Sequence, residues 1–148
     1  PDQRWDRRDI KTIQLLPNCL AKQAASEKGA YEAIMVMPDG SVSEGSSSNV
    51  WILNNQNQLI TRQPDEDILN GITRQSIQRI AGERQIEIVE RAFSVGEMMQ
   101  AKEVFVTSAT SMVTALTHID GKKIDEGKVG LIASALKADY IKYVETCS

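Results

Sequence analysis

Two apolar runs, residues 50–53 and 59–61, flank the polar stretch Asn54-Asn55-Gln56-Asn57, a spacing that calls for a β-hairpin. A hairpin fixes two strands side by side and antiparallel, so everything else must pack around that pair. Residues 31–37, 41–43, 86–92, 104–108 and 113–119 read as further strands. Residues 4–16 also alternate and read as a strand ending near Leu16. Helices fit residues 17–28, with Pro17 in the first turn and Gly29 as the stop, and 72–84, with Ile72, Ile77 and Ile80 on one face. A short helix fits residues 94–101, where Ser94 and Glu97 have the spacing of a capping box, and a closing helix fits 129–144. Strands and helices do not strictly alternate. The fold class is therefore α+β, a curved, barrel-like mixed sheet with flanking helices rather than a doubly wound one.

Bulk properties narrow the function classes. A chain of 148 residues can bury one core, and 41% hydrophobic with 25% charged residues is ordinary for a globular domain. The net charge of −3 gives no general attraction to nucleic acid or anionic lipid. No apolar run approaches the roughly 20 residues that span a bilayer. No signal peptide is read at the start, where three of the first ten residues are arginine. Cys19 and Cys147 are read as free thiols of a cytoplasmic protein. With His118 the sole histidine, neither a His-based triad nor a metal site is expected. Cys19, Trp51 and Phe105 are expected in the core, His118 on a strand face, and Asp65-Glu66-Asp67 in a solvated loop.

Four places could carry chemistry. Lys11 follows Arg4, Arg7 and Arg8 and precedes apolar residues. Desolvation and like charge would both favour its neutral, nucleophilic form, and the arginines suit a phosphate. On a regular strand Lys11 shares a face with Arg7 and Asp9, while Arg4 and Arg8 point the other way. Glu44-Gly45-Ser46-Ser47-Ser48-Asn49 joins a carboxylate to small residues that let backbone approach a ligand, or is simply a solvated loop. Asn70-Gly71-Ile72-Thr73 opens a helix whose free N–H groups suit an anion, or is a plain N-cap. Thr107-Ser108-Ala109-Thr110-Ser111 puts hydroxyls at the end of a buried strand. A lysine, a carboxylate and two phosphate candidates are the parts that a pyridoxal phosphate site needs.

Arg4-Trp5, Asp9-Ile10-Lys11-Thr12, Leu15-Leu16-Pro17-Asn18, Leu20-Ala21-Lys22, Gly29-Ala30-Tyr31-Glu32-Ala33-Ile34, Ser43 through Val50 and Gly71-Ile72-Thr73-Arg74 occur in that order. The set resembles the class IV (fold type IV) pyridoxal 5'-phosphate aminotransferases, and most closely their D-amino acid branch. The resemblance implies transamination between a D-amino acid, such as D-alanine, and a 2-oxo acid. Branched-chain aminotransferase, aminodeoxychorismate lyase of the same fold, or a non-catalytic fragment are the alternatives. By matched position it implies Lys11 as the Schiff-base lysine and proton carrier, and Glu44 as the partner of the pyridine nitrogen. Leu69 would lie against the cofactor ring, while Ile72, Thr73, Ser108 and Ala109 would bind phosphate and Arg4 would approach it. Ser47, Ser48, Asn49 and Thr110 are expected around these. Ala109 and Gln14 depart from the family, which often has a hydroxyl and an asparagine there. The resemblance further implies that residues 1–148 are the cofactor-binding large domain, that a small N-terminal domain is absent from this chain, and that the full-length enzyme is a homodimer.

Overall fold

A computed structural model describes residues 1–146. Cys147 lies outside the described residues. The centre is a five-stranded sheet in the order β5-β4-β3-β6-β7. Its middle is the expected hairpin, β3 (Asn49–Leu53) paired antiparallel with β4 (Leu59–Thr61). On the other side of β3 runs β6 (Glu103–Ser108), followed by β7 (Met112–Ala115). The chain leaves β4, passes through α2 (Ile72–Glu83) and returns as β5 (Ile88–Glu90) parallel to β4, which makes the sheet mixed. The sheet is open, with β5 and β7 as its edges, and does not close into a barrel. Two small pairs complete the strands: β1 (Ile34–Val36) with β2 (Val42–Gly45), and β8 (His118–Ile119) with β9 (Lys122–Lys123).

Both faces of the central sheet are covered, which explains the unbroken apolar runs in β3 and β6. Val50, Ile52, Ile60, Val104 and Val106 face Val42, Phe93, Met98 and Ile124. Trp51, Leu59, Phe105 and Val113 face Ile77, Ile80 and Ala81 of α2 and Ala133, Leu136 and Tyr140 of α4 (Leu131–Thr146). Trp51 and Phe105 are fully buried neighbours across the β3–β6 ladder, with ring centroids 5.9 Å apart. The short helix α3 (Val95–Met99) is capped as expected by Ser94, whose hydroxyl accepts from the Glu97 N–H. The Glu97 carboxylate turns to Arg91 and does not complete a box.

Four expectations are corrected. Residues 1–15 form no strand, because Arg4 and Arg8 draw the segment onto distant acids and away from a ladder. Helix α1 (Leu16–Glu27) starts where Pro17 predicts, yet buries none of its residues, and Cys19 is exposed rather than core. Ile72 is 75% exposed: the buried face of α2 is Thr73, Arg74, Ile77, Ile80 and Ala81. The stretch 44–49 is no solvated loop, since Glu44 and Gly45 end β2, Asn49 opens β3, and only Ser47 is exposed.

Candidate active site

The strand ladder places the site. Asn49 at the start of β3 pairs with Thr107 near the end of β6, so both lie at one end of the sheet. The chain also leaves β4 at that end toward α2. A cleft of about 1060 Å³ opens there, walled by the segment around Lys11, the 44–49 turn, the start of α2 and the end of β6. All twelve candidates from the sequence line it: Lys11, Glu44, Arg4, Leu69, Ile72, Thr73, Ser108, Ala109, Ser47, Ser48, Asn49 and Thr110.

Glu44 is the most constrained group in the cleft. It is 5% exposed, and its Oε2 accepts from Asn49 Nδ2 and from the Leu69 N–H, each at 3.2 Å. Its Oε1 accepts from Arg4. Burial pushes the carboxyl up to about 7, against the pull of the Arg4 guanidinium. Asn49 Nδ2 also donates to Leu69 O at 2.8 Å, which ties the turn before α2 to Glu44. Gly71 belongs to that turn because a Cβ there would meet Asn49 Oδ1 at 2.7 Å.

Helix α2 opens at Gly71 with no side chain capping it, leaving its first amides facing the cleft without a side-chain acceptor. The Thr73 hydroxyl lies 3.4 Å from the Tyr140 hydroxyl on α4. Ser108 Oγ accepts from the Ser111 N–H and lies 2.6 Å from Ser111 Oγ, while Ala109 and Thr110 are exposed. Arg4 reaches no hydroxyl of these groups: its side chain donates to Asp2 and Glu44. Lys11 is exposed, not shielded from water by this chain, and has no hydrogen-bond or ion-pair partner among the described residues. Arg7 pairs with Asp9 on the surface, while Arg4 and Arg8 point inward. The division between the arginines is the one that a strand would give, but the cause is ion pairing.

Several residues escape a sequence reading. The Glu32 side chain is 3% exposed, and its carboxylate accepts from the hydroxyls of Ser46 and Ser48. Asp67, expected in a solvated loop, pairs with Arg8 and Arg62. Asp2 is buried between Arg4 and Arg8. Glu32 finds its serines 14 and 16 positions away and Asp67 finds Arg8 59 positions away, separations that no local pattern carries. For Asp2 alone the pattern is close at hand, as Arg4 and Arg8 follow within one short segment.

Gly45 offers a direct test of the turn. A Cβ there would meet Ser48 Oγ at 2.2 Å, and that hydroxyl is already engaged by Glu32 at 2.9 Å. Gly45→Ala should therefore lower stability by about 2 kcal/mol, read by urea denaturation, through the displaced hydroxyl and its orphaned carboxylate.

A buried carboxylate with a raised pKa, an uncapped helix start and an unpartnered lysine in one cleft would complement a ligand bearing a protonated ring nitrogen, a phosphate and a carbonyl. Residues 1–119 match the amino-transferase class IV family. The chain belongs to the class IV aminotransferases. It is 43% identical over 129 residues to the D-alanine aminotransferase of Bacillus licheniformis, covering 87% of this chain and 45% of that protein. It is 41% identical over 147 residues to the D-alanine aminotransferase of Staphylococcus aureus strain N315, covering 99% of this chain and 51% of that one. The chain thus spans about half the length of these relatives. Among solved structures, the branched-chain aminotransferase of the archaeon Thermoproteus uzoniensis with norvaline superposes with a TM-score of 0.81 at 28% identity, over 93% of this chain and 48% of that one. The PLP form of the Thermobaculum terrenum branched-chain amino acid aminotransferase gives 0.87 at 28% identity, over 93% and 45%. Both agree with the α+β class and the mixed sheet.

Proposed function

We propose that this class IV aminotransferase chain is the cofactor-binding domain of a longer enzyme that exchanges an amino group between a D-amino acid and a 2-oxo acid, using pyridoxal 5'-phosphate. The observation that carries the reading is Glu44: a buried carboxylate, raised in pKa and lining the same cleft as Lys11 and the start of α2. Identity above 40% to D-alanine aminotransferases supports the choice of substrate class over the branched-chain one, which rests on structures at 28% identity.

Bound in the cleft, pyridoxal 5'-phosphate supplies a carbonyl that condenses with amines and a ring that takes up electrons. Glu44 would accept the ring N–H, so that a positive nitrogen would be held against a carboxylate. The Ile72 and Thr73 amides and the Ser108 hydroxyl would hold the phosphate, and Leu69 would lie against the ring. Lys11 Nζ is the amine that would anchor the group and, when free, would take the proton from the substrate Cα. Arg4 belongs to the set through Glu44, its observed partner, rather than through the phosphate. Ser47, Ser48, Asn49 and Thr110 shape the walls.

We further propose that a small N-terminal domain and a second copy of the enzyme cover the face that holds Lys11. Ile13 is 97% exposed and Leu16 69%, and α1 buries nothing, an apolar surface that needs cover. No helix among the described residues is long and apolar enough to cross a membrane, and the proposed site of action is the cytoplasm.

Full-length enzyme given D-alanine and 2-oxoglutarate should form pyruvate and glutamate at least about 100-fold faster than it deaminates L-leucine or L-valine with the same acceptor, the discrimination that differential transition-state binding commonly supplies. A faster reaction with the L-amino acids would put the branched-chain reading in its place.

A further inference from the structure

The first residues of the chain build a row of alternating charges that runs inward to Glu44. Asp2 Oδ1 accepts from the Arg4 amide at 3.1 Å and from Arg4 Nε at 3.0 Å, and Asp2 Oδ2 accepts from Arg4 Nη2 at 2.7 Å. This pairing occupies one whole edge of the guanidinium and leaves Nη1, which donates to Glu44. Asp2 is itself fixed from outside. Ser43 Oγ donates to its Oδ2 at 2.7 Å, and Arg8 Nε stands 3.3 Å from the same oxygen. Arg8 continues the row to Asp67, and Asp67 to Arg62. The side chains of Asp2, Arg4 and Arg8 are 0%, 8% and 6% exposed.

Such a row is more than an anchor for the chain start. Arg4 stands between two carboxylates and must divide its charge. Without Asp2, the whole guanidinium would be free to pair bidentately with Glu44, and a carboxylate so neutralised is a poor partner for a second cation. With Asp2 in place, Arg4 gives Glu44 a single donor, Nη1, and shares its charge with a second carboxylate, so Glu44 keeps affinity for a proton or a proton-bearing ring. We propose that Asp2 is a positioning residue that turns one edge of Arg4 away from Glu44 and thereby holds Glu44 ready for a protonated nitrogen. The link to a ring nitrogen rests on the function proposed above; the control of Glu44 by Asp2 does not.

The charges on Glu44 are few enough to count. From the segment 1–15 it faces Arg4 and, behind it, Asp2; from β3 it meets the neutral Asn49; from the turn before α2 it meets the Leu69 N–H. Burial of Asp2 works against its charge, but hydrogen bonds from Arg4 and Ser43 outweigh that cost and hold the carboxyl well below the usual range. It is therefore ionised throughout the range in which Glu44 titrates.

The test is a titration of Glu44 by NMR in full-length enzyme stripped of cofactor and labelled with 13C at the glutamate carboxyls, the resonance being assigned by its loss in Glu44→Gln. Asp2→Asn should lower the Glu44 midpoint by roughly one pH unit, the size of effect expected from removing one close charge. Asp67→Asn breaks an ion pair further along the row and should leave the midpoint in place, and Asp2→Glu should restore it. Ser43→Ala is the milder second test should Asp2→Asn not fold. Stripping a donor from Asp2 frees its charge to act on Arg4, so the midpoint should rise. An unmoved midpoint in folded Asp2→Asn, or in Ser43→Ala, overturns the proposal, as does an equal shift in Asp67→Asn. The titration is read without cofactor, so it can fail while cofactor attachment to Lys11 holds, and the reverse.

Discussion

Full-length enzyme carrying Lys11→Ala should bind pyridoxal 5'-phosphate only reversibly, lose the visible absorbance of the lysine-bound cofactor and lose at least about 10⁴-fold in turnover. Lys11 lines the cleft, and no hydrogen bond or ion pair among the described residues holds it back. The substitution removes an amine that no partner among the described residues holds, from a segment without regular structure, so the fold should survive, and thermal melting of the cofactor-free variant should match the cofactor-free parent within about 1 °C. A variant that keeps the visible band would show that another lysine holds the cofactor. Exogenous small amines, supplied at high concentration, should restore part of the proton transfer, since the substitution leaves room for them where the Lys11 side chain stood.

The second large effect concerns pH. Glu44 has its folded pKa raised from 4.5 to about 7, chiefly by burial. For an acid raised in this way, the folded state holds the proton more tightly than the unfolded state. Its contribution to stability is complete below pH 4.5 and is lost as pH rises through 7. A shift of this size corresponds to about 3 kcal/mol. Cofactor-free enzyme should therefore lose stability between pH 5 and pH 8 relative to Glu44→Gln, which cannot ionise. Asp2 acts with the opposite sign and in another window, because its lowered pKa costs stability only as pH falls from 3.8 toward 2. The two carboxylates can thus be separated by denaturant titration at a series of pH values. If wild type and Glu44→Gln keep a constant difference from pH 5 to 8, the raised pKa is refuted. Saturating cofactor should flatten the wild-type slope, because a positive ring nitrogen favours the ionised carboxylate.

The elements that could be read from sequence are those whose signal is local. The 50–61 hairpin announces itself by polar residues between apolar runs, and α2 and α4 by their spacing. Burial on both faces of β3 and β6 is written in runs such as Val50-Trp51-Ile52-Leu53 that leave no side for water. The segment 1–15 fails for the opposite reason. Its alternation resembles a strand, but Arg8 is tied to Asp67 and Arg4 to Glu44, pairs 59 and 40 positions apart. Cys19 fails because α1 buries none of its residues within this chain, and Ile72 because the first turn of α2 lies at the cleft. The candidate site came through better than the path of the chain around it. Glycines, hydroxyls and a carboxylate could be placed in one cleft from family resemblance, whereas Glu32, which holds the turn beside that carboxylate in shape, finds its serines too far along the chain for a motif to show.

Glu32 has one more consequence. By taking the hydroxyls of Ser46 and Ser48 it keeps two donors of the serine-rich turn away from Glu44, whose carboxylate is the acceptor on that wall. The start of α2, with no side-chain cap, offers its first backbone amides as donors. The cleft is thus electrically lopsided along its wall, like a socket keyed for one orientation of the plug. A ligand with a cationic ring and an anionic tail is sorted end from end before any amino acid arrives. On the function proposed above, the flank of that ligand which Lys11 can touch is then inherited from the direction of entry.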